Sequence, residues 1–79
     1  MSETRSLSEI AREITRDWQK PNFGAVPYLG AMRQLDSIND PYHNDSGRSV
    51  VAYFLGNASS WRGPVAKRIK AELRDMLSR

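Results

Sequence analysis

The chain has 79 residues and a mass of 9.0 kDa, with 39% apolar and 27% charged side chains and no cysteine. That excludes two domains, disulfide staples and a thiolate metal clip, and below about 80 residues one core rarely supplies more than about 3 to 5 kcal/mol, so the chain must pack efficiently or oligomerise. The net charge of +3 is local: residues 60–79 carry six basic and two acidic groups, residues 1–59 six basic and seven acidic. A basic end on a near-neutral body suits an acidic partner, protein or nucleic acid, without choosing between them.

Ser6-Leu7-Ser8-Glu9 has the form of a capping box, so a first helix is expected to begin there. Leu7, Ile10, Ala11, Ile14 and Trp18 share one side of it. Glu9, Arg12, Glu13, Arg16 and Lys20 take the other, paired Glu9 with Arg12 and Glu13 with Arg16 as a solvated face. Lys20-Pro21 stops the helix. A second helix is predicted over 25–35, with Pro27 in its first turn and Tyr28, Leu29, Met32 and Leu35 at helical spacing. Gly30 inside it either permits close approach of a neighbouring helix or weakens the element.

Residues 36–46 are dense in turn formers and read as the longest loop. Asp45 or Ser46 then caps a third helix carrying Val50, Val51, Tyr53, Phe54, Leu55 and Ala58, the widest apolar arc in the chain and the expected central helix. A buried strand is the alternative for its apolar run, opposed by the capping signal and by the lack of a strand partner. Gly63-Pro64 opens a fourth helix with Val65, Ile69, Leu73 and Met76 on one side. The fold expected is all-α, a single compact domain of four short helices over 1–79, with 1–5 frayed.

The one histidine, His43, sits among Asp40, Asn44 and Asp45. Counted from Asp36, this loop has Ile38, Pro41 and Gly47 where a calcium loop needs a ligand, a glycine and a glutamate. Zinc needs more nitrogen or sulfur ligands than the chain provides. Neither a nucleophile elbow nor a phosphate-binding glycine motif is present, so the loop reads as structural and the chain is expected to be no enzyme and to need no cofactor or metal.

The segment from Ser59 to Arg74 joins an aromatic residue, a helix start and basic groups. Lys67, Lys70 and Arg74 fall on one flank of the projected helix, while Arg68 lies on the other, where Glu72 can neutralise it. With Arg62, these three cations are the candidates for contact with phosphates or carboxylates. The competing reading is that they favour the helix dipole and keep a small protein soluble. Trp61 before the helix and Tyr42 in the loop are candidate exposed anchors for a partner, each weighed against packing. A standard helix-turn-helix does not fit, because its register places Gly63-Pro64 inside the recognition helix, while a less regular DNA-binding helix stays open.

Phe23-Gly-Ala-Val-Pro-Tyr-Leu29, Leu35-Asp-Ser-Ile-Asn-Asp40, Asp45-Ser-Gly-Arg-Ser-Val-Val-Ala-Tyr-Phe-Leu55 and Asn57-Ala-Ser-Ser-Trp-Arg-Gly63 resemble stretches of small uncharacterised proteins encoded by bacteriophages and prophage-carrying bacteria. The similarity spans most of the chain after residue 7 and supplies no activity and no site. It implies a bacterial host cytoplasm and a small factor that acts by binding a host or phage component. No stretch reaches the roughly 20 apolar residues of a membrane span, and no secretory signal opens the chain, which agrees with a cytoplasmic address and no membrane partner. The expected function is a non-catalytic binding module for a protein partner, with self-association as a further mode. The alternative is nucleic-acid binding through Arg62, Lys67, Lys70 and Arg74.

Overall fold

A computed structural model describes residues 5–43 and 45–78. Its elements in chain order are α1 (Leu7–Asp17), a 3-10 turn (Phe23–Ala25), α2 (Val26–Met32), β1 (Pro41–Tyr42), β2 (Asp45–Ser46), α3 (Gly47–Gly56) and α4 (Pro64–Leu77). The fold is all-α apart from the two-stranded ladder between α2 and α3.

Helix α1 starts as its capping residues dictate: the Ser6 hydroxyl accepts from the Glu9 amide at 3.1 Å. The amides of Leu7 and Ser8 donate to the carbonyls of Asp36 and Leu35, so the start of α1 is sewn to the chain leaving α2. Leu7, Ile10, Ala11 and Ile14 are buried, as their spacing requires. The helix ends at Asp17, earlier than Pro21 imposes, because Trp18 leaves helical dihedrals (φ −102°, ψ 86°) with its indole in the core.

Helix α2 is shorter than its pattern predicts. Beyond Met32 the amides of Gln34 and Leu35 bond three residues back, and this tighter winding swings Leu35 into the core. Gly30 has nothing within 4 Å of where a side chain would begin, so it is not a point of close helix approach.

The loop expected after α2 is ordered by local bonds. The Asp40 carboxylate accepts from the amides of Asp36 and Ser37, and Pro41–Tyr42 pairs antiparallel with Asp45–Ser46. Ser46 then caps α3, its hydroxyl accepting from the Ser49 amide at 3.3 Å. Gly47 begins that helix against the loop backbone, where a Cβ would lie 2.5 Å from the Ser37 carbonyl oxygen and 2.8 Å from Ile38 Cα.

The helices pack in a ring, α1 against α2 and α4, and α3 against α2 and α4. No helix is central, which corrects the expectation for α3. Of its expected arc, Val50, Val51 and Phe54 are buried and Leu55 packs half-buried on the core, whereas Tyr53 is 50% exposed and the buried Ala58 lies beyond the helix end at Gly56. Arg48 ties the start of α3 to the end of α4 by donating to the Leu77 carbonyl at 2.6 Å.

The α1–α4 seam carries the charges, with different partners from those expected. Glu13 pairs with Arg5 at 2.7 Å and with Arg68, and Glu72 pairs with Arg5 at 2.7 Å. Arg16 and Glu72 are therefore not the neutralising groups for Glu13 and Arg68, because residues 5 and 68 reach across the seam. Arg5 is held rather than frayed; residues 1–4 lie outside the described residues. Hydrogen bonds from Arg5 first and Arg68 second hold the Glu13 carboxyl below the usual carboxylate value.

Two outcomes follow for stability. Gly30→Ala will raise the urea midpoint by the equivalent of about 0.4 to 1 kcal/mol at unchanged slope, whereas Gly47→Ala, which drives a methyl into backbone, will lower it. The Glu13 pairing stabilises the fold fully above the unfolded carboxylate value near pH 4 and fades as pH falls through the lower folded value. Glu13→Gln will therefore flatten the acid limb of a helicity-monitored pH titration; an unchanged limb would show that the pairing contributes nothing.

Candidate functional site

Between α3 and α4 the chain makes a compact turn in which the Ala58 amide donates to Leu55 and the Trp61 amide to Ala58. This delivers the Trp61 side chain into the interior, 2% exposed. It stacks on Trp18 at 5.7 Å with planes 11° apart, and Phe54 meets both rings edge-on at 6.3 Å. Its indole N–H donates to Asp17 Oδ2 at 2.8 Å. Gly63, at φ 112°, then reverses the chain in a region that suits glycine, and Pro64 opens α4 without a side-chain cap or an acidic residue in the first turn.

The reversal leaves a cleft of about 460 Å³ beside α4, lined by Trp61, Arg62, Gly63, Pro64, Ala66, Lys67, Lys70 and Arg74. Gly63 and Pro64 are its exposed uncharged lining, Trp61 and Ala66 border it from the core, and the four charged groups in that lining are all cations. None of the ion pairs among the described residues involves them. Lys70 reaches in from α4, its Nζ 5.9 Å over the Trp61 ring and donating to the Trp61 carbonyl at 2.7 Å. Burial, and then the like charges of Arg74 and Arg62, hold its amine below the usual lysine value. The arrangement is a positive cleft, with its lysine partly stripped of water and no acid among the described residues that line it.

Five of the six sequence candidates therefore meet in one place: Arg62, Lys67, Lys70, Arg74 and Trp61. Trp61 is not the exposed anchor considered from sequence, because it closes the core and only borders the cleft. Tyr42 stands apart. It is half-buried in the ladder, packed on the core with its ring edge-on to His43 at 4.4 Å, and has no share in the cleft. His43 itself is at φ 55° at the ladder's turn.

Sequence reasoning missed the exposed aromatic face. Phe23 is 92% exposed, and Tyr53 meets Tyr28 in a tilted contact, centroids 5.5 Å apart and planes at 41°, while half its surface meets solvent. Asn22 donates to the Asn57 carbonyl, which sets Phe23 at the end of α3. The readable signal was that Phe23 falls between Asn22 and Gly24, in a turn, with no apolar period around it.

Scans against protein-family models, curated proteins and solved structures find no match to this chain. Among the described residues no helix is long and apolar enough to cross a membrane.

The folded chain gives up the Lys70 proton before the unfolded chain does. The penalty is thus complete below the folded value, and stability rises with pH between the folded and unfolded values. Arg74→Gln removes the larger like charge, so Lys70 will titrate at higher pH than in the native chain when its ε-methylene is followed by NMR. An unmoved titration would show that the two side chains do not face each other.

Proposed function

We propose that this chain is a non-catalytic binding module of phage or prophage origin that docks the cleft along α4 onto an acidic segment of a protein partner in the bacterial cytoplasm. The observation that carries the reading is the convergence of four cations, unpaired with any carboxylate among the described residues, around a carbon-lined concavity. Such a surface repels cations and gains from carboxylates brought against it. Its lining offers charge to bind an anion but no acid and base set opposite each other to move a proton.

A protein is favoured over a nucleic acid by the state of the indole. Trp18 stacks on the Trp61 ring and the Lys70 ammonium lies over it, so Trp61 offers no free platform to a base. The second reading, contact with a phosphate backbone, draws on Lys67, Lys70 and Arg74 following one flank of α4 over about 10 Å of helix axis. Self-association would use the exposed Phe23, Val26 and Tyr53 rather than the cleft.

The test is a fluorescence-anisotropy titration with labelled acidic peptide, duplex DNA and single-stranded RNA at low and rising salt. The peptide is expected to bind, and Lys67→Glu with Arg74→Glu, both exposed positions, to weaken it roughly tenfold or more while helicity is unchanged. Binding of nucleic acid alone, with a log-log salt slope approaching about −3.6 for four cations, would replace this reading with the second one.

A further inference from the structure

Resting on that reading, we infer that the segment recognised is extended and presents one apolar side chain between two carboxylates at alternate positions, in the order acid, any residue, apolar, any residue, acid. The cleft has two chemistries at once. Its accessible carbon comes from Gly63 and Pro64, with Trp61 and Ala66 nearly buried behind them, and its cations come from two elements, Arg62 from the turn and Lys67, Lys70 and Arg74 from α4. A purely anionic ligand, such as inorganic phosphate or a sugar-phosphate backbone, would answer the cations and leave the carbon wetted. An uncharged apolar ligand would fill the floor and bury ammonium and guanidinium groups without partners. A ligand that is apolar in the middle and anionic at both ends answers both.

The spacing follows from strand geometry. In an extended chain residues two apart face the same way, at about 3.3 Å per residue, so carboxylates two residues to either side of the apolar one lie about 13 Å apart. Lys67 and Arg74 are separated by about 10 Å along the α4 axis, a span that two long side chains extend to that distance. At about 460 Å³ the cleft lies within the range of roughly 300 to 1,000 Å³ typical of binding pockets and has room for the apolar side chain with backbone beside it.

The experiment compares three labelled peptides of one net charge against the whole chain by anisotropy, with a single-stranded oligonucleotide in parallel. The first contains Glu-Ser-Leu-Ser-Glu, the second replaces its Leu by Ser, and the third moves the Leu outside the two Glu. The first is expected to bind roughly tenfold or more tightly than the other two. Pro64→Glu, at an exposed first-turn position where an acid suits the helix, places a carboxylate in the floor and is expected to abolish that preference. Equal affinity for all three peptides overturns the bracketed pattern while leaving an acidic partner in place. Undiminished binding of the first peptide by Pro64→Glu shows that it sits elsewhere and likewise overturns the inference. Failure of every acidic peptide overturns both readings, and oligonucleotide binding in that case gives the cleft to nucleic acid.

Discussion

The interior depends on one indole. Trp61 is the largest fully buried side chain among the described residues and belongs to no helix, yet it joins the end of α1 through Trp18, the last turn of α3 through Phe54, and α4 through Lys70. Removing an aromatic group of this kind from a core costs about 3 to 5 kcal/mol. That is as much as the whole core of a chain this short ordinarily provides. The polar atom it carries inward is matched by Asp17, and no buried side-chain polar atom among the described residues lacks a partner. The ring of four helices is closed by a residue in the turn between two of them.

The distribution of charge follows from the same packing. Bringing α1 against α4 places Glu13 and Glu72 where Arg5 and Arg68 meet them, so the acids of this seam are consumed on one side of α4. Each of these pairs, still open in part to water, contributes little by itself. The consequence lies on the other side, where Lys67, Lys70 and Arg74 join Arg62 in a cleft with no carboxylate among its described lining residues, and where Lys70 registers the repulsion of its neighbours. The net charge of +3 is small in sum and sharply uneven in space.

What could be read in the sequence was local. Ser6 and Ser46 announce their helices because a cap acts over three residues, and Ile10, Ala11 and Ile14, like Ile69, Leu73 and Met76, are fixed by a period that needs no knowledge of the partner. The flank of Lys67, Lys70 and Arg74 was visible on the same grounds. Glu13 was misassigned because a partner three residues along the helix competes with Arg5 and Arg68 arriving from elsewhere, and the tertiary partners prevail. The donation of the Leu7 and Ser8 amides to the carbonyls after α2 has no local trace at all. Neither does the depth of Trp61, since a lone aromatic in a turn has no neighbours at helical spacing to say which way it faces. The cleft combines the two cases: its cations were legible, and its concavity depends on Trp61 being inside.

That dependence links the cleft to the fold. Lys70 is already drawn from water and bonded to the Trp61 carbonyl before any ligand arrives, so part of the ordering that binding normally demands is complete in the free chain. Carboxylates entering beside Lys70 offset the repulsion from Arg62 and Arg74, which the folded chain otherwise bears alone. A ligand that meets this arrangement only in the folded chain stabilises it by mass action, by about 2.7 kcal/mol at a hundredfold excess over its dissociation constant. For a core of this size such a gain would be comparable with the margin of folding itself, so a ligand taken up by the cleft would also hold the fold together, through the contact between Lys70 and Trp61.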